Sequence, residues 1–302
     1  MTIAHHLRAI ACALLFGTVA VGAQELEPRA YSPAPVGLNF AGVVYTHSTG
    51  NVLTDPTIPL EDVSAELNAA TLAYSRTFAL WGRSASVAIA VPWVWGTVEG
   101  EVFEEQRSVW RSGLADPRLR LAVNLLGAPA MTPQEFAART PGTTIGASVV
   151  LVPPVGEYFP DKLVNIGSNR WAGKAEVGLS QPVGKWNVDV YAGLWCFTDN
   201  DEFFGGVERA QDPVVGLQAH LAYTFRPGLW LAFDATGYRG GETTVDGVHK
   251  DDLQENTRAG LTLAVPVTRA QSIKVAWSTG ATTRLGSDFD SVAVAWQMRW
   301  MD

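Results

Sequence analysis

The sequence predicts an all-β protein: a closed antiparallel transmembrane β-barrel of about twelve strands, of the outer-membrane type. Three observations predict it. Alternation of apolar and polar residues with period two runs from Val36 to the C-terminus. Most of the alternating segments exceed the roughly 5–6 residues usual in globular sheets and reach the roughly 9–11 that cross a bilayer when tilted. The connections between them are alternately short and long.

The chain opens on a secretory signal. His5, His6 and Arg8 form a weakly basic start, "IACALLFGTVAV" (10–21) is the apolar segment, and "VGA" (21–23) offers small residues for cleavage. Residues 1–23 are therefore read as a signal peptide, and the mature chain as beginning at Gln24. Only Cys196 then remains, which excludes an intrachain disulfide. Cleavage removes Arg8 and no acid, so the 22 Lys+Arg become 21 against 30 Asp+Glu, a net charge of −9. That balance argues against a nucleic-acid partner. No apolar run is long enough for a transmembrane helix.

The stretch "QELEPRAYSPAP" (24–35) is Pro-rich and expected to be extended. Residues 24–34 are read as a periplasmic leader; a short plug folded into the lumen is the other reading. The barrel occupies 35–302. Its strands are expected near 35–47, 65–79, 83–96, 114–126, 142–154, 169–181, 186–198, 213–225, 229–240, 255–265, 271–280 and 290–301. Short turns fall at "LWGR" (80–83), "PVGK" (182–185), "RPG" (226–228) and "PVTRAQ" (266–271). Long loops are expected at 48–64, 97–113, 155–168, 199–212, 241–254 and 281–289. One connection, "GAPAMTPQEFAART" (127–140), is long where a short turn is due; Thr132-Pro133 reads as the start of a small periplasmic helix.

Alternation alone also fits a soluble barrel. The 11 tryptophans help to separate the cases. Trp81, Trp186, Trp230 and Trp300 lie near short turns or the C-terminus, and Trp93, Trp95, Trp171, Trp195 and Trp277 near long loops, as two interfacial girdles require. Trp195 and Trp230 sit on the polar parity of their strands and count for less. In "DPRLRLAVNLLG" (116–127), Arg118 and Arg120 alternate with large aliphatics. An Arg facing lipid at mid-membrane costs about 2–4 kcal/mol, so the pair faces inward.

The same parity assigns the interior: Arg118, Arg120, Asn124, Arg170, Lys174, Glu176, Asp189, His220, Asp234, Arg258, Lys274 and Arg299. Seven bases face three acids, which suggests a lumen biased toward anions. Ion pairs that fill the barrel are the competing reading. A phospholipase would need a Ser and a His facing the outer leaflet. His220 faces the lumen and reads as a polar filler, while His47 and His249 belong to loops. The sequence offers no catalytic, metal or cofactor motif, and the chain is read as a non-enzyme.

Four segments carry a resemblance. "GLADPRLRLAVNLLGAPAMTPQEF" (113–136), "VPPVGEYFPDKLVNIGSNRW" (152–171), "FTDNDEFFGG" (197–206) and "DGVHKDDLQENTRAGLTLAVP" (246–266) resemble the transporter-like family named for the meta-pathway of phenol degradation. The likeness extends over nearly all of the mature chain. Gly-Leu-Ala-Asp-Pro before an alternating strand is its most distinctive motif; Pro154, Gly156 and Tyr158 follow, then Asn169-Arg170-Trp171. Cys196 departs from the pattern. The resemblance implies an outer-membrane barrel in a Gram-negative bacterium, surrounded by outer-membrane lipid and inserted by the barrel-assembly machinery. The expected function is passage of small solutes, aromatic or anionic, through the lumen. The alternative is a plugged, non-conducting barrel that takes up hydrophobic ligands through a lateral opening, or a structural role. A lipid-modifying enzyme is third.

Overall fold

A computed structural model describes residues 26–53, 60–102 and 105–302. The expected signal peptide and Gln24 lie outside them. Alternation becomes strand over most of the stretches where it was read, and the strands close on themselves. In chain order they are β1 (Leu38–Leu53), β2 (Leu60–Leu80), β3 (Arg83–Val102), β4 (Glu105–Leu114), β5 (Arg118–Leu126), helix α1 (Pro133–Ala138), β6 (Thr144–Val152), β7 (Ala172–Val183), β8 (Trp186–Phe197), β9 (Asn200–Phe203), β10 (Val207–Gln211), β11 (Val214–Arg226), β12 (Leu229–Gly240), β13 (Thr243–Val245), β14 (Val248–His249), β15 (Gln254–Pro266), β16 (Gln271–Thr282) and β17 (Gly286–Met301).

The wall runs β2-β1-β17-β16-β15-β12-β11-β8-β7-β6-β5-β3, and β2 pairs with β3 to close it. Counting the broken pair β4 and β5 as one position, this is a twelve-stranded antiparallel barrel. Closure satisfies the backbone without water or a free edge, as hydrocarbon demands. The seam is long: β1 pairs with β17 from Leu38↔Met301 to Leu53↔Gly286.

The two faces separate as parity requires. Val149, Val177, Val190, Leu217, Phe233 and Val294 are exposed outward, whereas Ser148, Glu176, Asp189, Gln218, His220 and Asp234 are buried inside. Both aromatic girdles form. At the short-turn end Trp81, Trp186 and Trp300 are exposed, with Tyr74 6.3 Å from Trp300 and Tyr223 4.8 Å from Trp186. At the long-loop end Trp93, Trp171 and Trp277 are exposed. Trp195 and Trp230 point inward and are buried.

Several expected loops are strand instead. β1, β2, β3 and β17 continue through much of 48–53, 60–64, 97–102 and 286–289, so one side of the barrel stands well above the rest. At about 3.3 Å per residue, the 20 residues of β3 reach roughly 66 Å, more than twice a bilayer core. The expected strand 114–126 is broken at Ala115-Asp116-Pro117. Pro117 supplies no backbone donor there. β4 pairs above with Trp93–Val102 and β5 below with Ala85–Ala90. A second sheet, β14-β13-β10-β9, caps the long-loop end.

α1 forms where Thr132-Pro133 placed it, with Thr132 capping and Glu135 closing the capping box. Its loop packs under the barrel. Val36 donates to the Met131 carbonyl at 2.9 Å, and Met131 and Phe136 are buried.

Candidate functional site

The interior is not an open tube. Residues 26–35 turn up into it and cross it. Instead of an extended periplasmic leader, this stretch makes a turn at Pro28–Tyr31, with Arg29 at φ 66°. Its backbone donors find partners on the wall. Glu27 N–H donates to Gln218 Oε1 (3.2 Å), Arg29 N–H to Asp189 Oδ2 (3.1 Å) and Ala30 N–H to the Tyr191 hydroxyl (3.0 Å). A segment surrounded by buried acceptors gains more there than in water, because those acceptors would otherwise lose partners.

Tyr31 is the anchor. It is 1% exposed, and its hydroxyl donates to Glu176 Oε1 at 2.9 Å and lies 3.0 Å from Ser148 Oγ. Its ring rests on Gly146 and Gly178, paired residues of β6 and β7; a Cβ at either position would overlap it. The ring meets Tyr191 edge-on at 5.1 Å and carries the Arg120 guanidinium 5.4 Å from its centroid. On the far side, Leu26 lies against Gly260 of β15. The segment therefore touches both halves of the wall. It leaves through Pro35, whose carbonyl accepts from Thr77, and enters β1.

The charges within largely pair. Lys174 Nζ lies 2.7 Å from Glu176, and Arg120 lies 3.7 Å from Glu176 and 3.5 Å from Glu27. Asp189 accepts from Asn187 at 2.7 Å. His220 Nδ1 is 2.7 Å from Asp234, which also accepts from Thr262 at 2.6 Å. His220 points inward and is buried, away from the lipid. Asn124 is buried on the inner face of β5. Arg118 lies 5.9 Å from the Trp195 ring centroid, and Lys274 lines the space below the plug.

One expected wall residue stands elsewhere. β7 starts at Ala172, so Arg170 belongs to the loop at the long-loop rim, its guanidinium 4.5 Å over Phe197 and bonded to Gln211. Burial, and then the nearby charge of Arg209, push its pKa down to about 10, so it remains cationic at neutral pH. Arg299 keeps its place on the inner face of β17, at the short-turn rim, where it donates to the Arg269 carbonyl.

Among the described residues, two spaces lie within the barrel on either side of the plug. Below it a vestibule of about 800 Å³ opens at the short-turn end, lined by Arg226, Trp230, Lys274 and Arg299 among others. Above it lies a chamber of about 230 Å³. Leu67, Val94, Val98, Ile166 and Phe289 give the chamber apolar walls; among its polar members are Thr46, Ser48, Arg111 and Arg258, with the Arg111 guanidinium donating to the Val164 and Trp110 carbonyls. No residue of 26–35 lines it.

One side of the chamber is loop, not ladder. β4 pairs only with β3 among the described strands. Beyond it the loop 153–171 folds in, contributing Val164, Asn165 and Ile166. Asp116 pins that loop, accepting from Gly156 N–H (2.8 Å), Ser168 N–H (2.8 Å) and Ser168 Oγ (2.7 Å). This gives the Gly-Leu-Ala-Asp-Pro motif a physical role: Pro117 ends one strand register, and Asp116 fastens the loop that covers the break.

The family model described as "MetA-pathway of phenol degradation" matches residues 45–294. The chain belongs to that family. Among solved structures, it is similar to a COG4313 outer membrane channel from Pseudomonas putida F1, with TM-score 0.76 and 23% identity over 90% of this chain and 99% of that one. The β domain of the Bordetella autotransporter BrkA matches at TM-score 0.50 and 7% identity, covering 88% of this chain and 100% of that one. No curated protein matches. These likenesses establish the fold. This family member is an outer-membrane β-barrel of a Gram-negative bacterium, so its short turns are periplasmic and its long loops extracellular.

The parity of the sequence found the charged interior but not its partners. Glu27, Arg29 and Tyr31 lie in a stretch with no periodicity. Gly146 and Gly178 did carry a signal: two glycines on the inward parity of adjacent strands mark a close approach.

Proposed function

We propose that this barrel takes up small single-ring molecules from outside the cell, using the apolar chamber above the plug as the receiving site. The chamber carries the reading. Its volume of about 230 Å³ exceeds the roughly 150 Å³ of an apolar cavity known to hold benzene, so it suits a substituted ring. Steady flow of ions through an open basic lumen has less support, because the plug crosses mid-height and Glu176 and Glu27 pair with Lys174 and Arg120. Onward movement then takes one of two paths. The plug shifts and the solute descends to the vestibule, or the 153–171 loop yields and the solute passes sideways between β4 and β6. The second path breaks no strand ladder.

Filling the chamber tests the reading. Val94→Trp places an indole among Leu67, Val98 and Ile166. Uptake of labelled toluene into proteoliposomes is expected to fall to the protein-free rate, with the barrel still folded by heat-modifiable gel migration. Uptake at the wild-type rate in that variant overturns the chamber as the receiving site.

A further inference from the structure

The chamber's polar wall suggests a narrower ligand class. This rests on the chamber being the receiving site. Arg258, on the inner face of β15, is 4% exposed. Its Nη2 donates to Ser278 Oγ at 3.2 Å and to the Phe289 carbonyl at 2.5 Å. Its Nη1 is buried and has no hydrogen-bond partner. Buried donors are nearly always satisfied, and a buried cation is costly without a counter-charge. Lys174 and Arg120 each have a carboxylate within ion-pair distance. Among the described residues no ion pair is formed by Arg258; Asp288 and Asp290, either side of Phe289, act on it only at longer range.

The guanidinium is a planar fork that matches a carboxylate. Around it the chamber supplies Leu67, Val94, Val98, Ile166 and Phe289 for a ring. We propose that the chamber binds monocyclic aromatic carboxylates, with the ring against the apolar wall and the carboxylate accepting from Arg258 Nη1. A neutral ring satisfies the wall but leaves that donor bare.

Binding of benzoate and of toluene to the purified full-length protein in detergent, with detergent-only blanks, tests this. Wild type is expected to bind both. Arg258→Met keeps an unbranched stem and removes the charged fork. It is expected to weaken benzoate by about tenfold to a hundredfold, the worth of a charge-assisted hydrogen bond, and to leave toluene unchanged. Arg258→Lys keeps charge without the fork and is expected to fall between; should the Met variant not fold, benzoate affinity unchanged in the Lys variant overturns the assignment. Unaltered benzoate affinity in a folded Met variant does the same. If wild type binds toluene but not benzoate, the chamber stands and Arg258 loses this role. If it binds neither, both readings fall.

Discussion

The Tyr31 hydroxyl donates to Glu176 Oε1 at 2.9 Å across 145 positions of sequence. The same carboxylate lies 2.7 Å from Lys174 and 3.7 Å from Arg120. One acid therefore offsets two wall cations and anchors the plug. Charge pairing and occlusion are one arrangement: whatever removes the plug also takes Glu27 from Arg120 and Tyr31 from Glu176.

Removal of residues 24–33 behind an intact signal sequence is expected to open a path from vestibule to chamber. In planar bilayers the wild type should show no steady conductance and the truncated chain discrete, stable steps. Equal behaviour of the two would mean that the plug does not set the block.

Gly146 should be coupled to Tyr31. A methyl at residue 146 overlaps the Tyr31 ring, so Gly146→Ala is expected to destabilise the wild-type barrel yet cost little in a Tyr31→Ala background. Urea unfolding of the four chains in lipid vesicles gives the coupling, expected at about 0.5–3 kcal/mol for residues in contact. Additive costs would place the ring elsewhere.

Glu176→Gln leaves an acceptor for Tyr31 but removes the carboxylate charge 2.7 Å from Lys174. Both side chains are nearly inaccessible, 2% and 5% exposed, so the loss is expected to be about 3 kcal/mol in the same unfolding assay. Adding Lys174→Met should restore part of it, because the charge that lost the Glu176 carboxylate goes too. No recovery in the double variant would argue that the pair's charge is not what matters.

Why the wall was legible and its contents were not follows from periodicity. Side chains in a strand repeat every two residues, so Arg120, Lys174, Glu176, Asp189, His220, Asp234 and Arg258 could be aimed inward one strand at a time. Arg170 was misplaced because a strand boundary shifted by three residues, from 169 to Ala172, and boundaries depend on loop packing that parity does not encode. The plug's contacts join residues more than a hundred positions apart, such as Glu27 and Gln218. The chamber was hidden for a different reason. Val94 and Leu67 are apolar residues on the inward parity, so they read as noise in an alternating pattern while forming a surface in three dimensions.

The outward face has its own test. Val149 is 50% exposed near mid-height of β6, and Val183 is 58% exposed beside the periplasmic turn of β7. Val149→Arg is expected to cost about 2–4 kcal/mol and Val183→Arg about 0–1, because the penalty falls with depth. A soluble barrel would show little difference. Equal costs in vesicle unfolding would therefore contradict the membrane placement of this face.

Asp116 is expected to govern the loop without governing the barrel. Its carboxylate takes three hydrogen bonds from Gly156 and Ser168, and the loop between them supplies Val164 and Ile166 to the chamber. β4 has no second ladder partner among the described strands, so that loop is the wall beside it. Asp116→Ala removes every one of those bonds while the β3 ladders to β4 and β5 persist on either side. Amide exchange in 155–168 should accelerate strongly, since bonds to an ionised carboxylate contribute about 1.5–3 kcal/mol each. Exchange in β7 and β8 should not change. Toluene release should quicken with the loop's opening if the sideways path is used, and stay constant if the solute leaves past Tyr31. Protection of 155–168 left at the wild-type level would show that Asp116 is not the fastening.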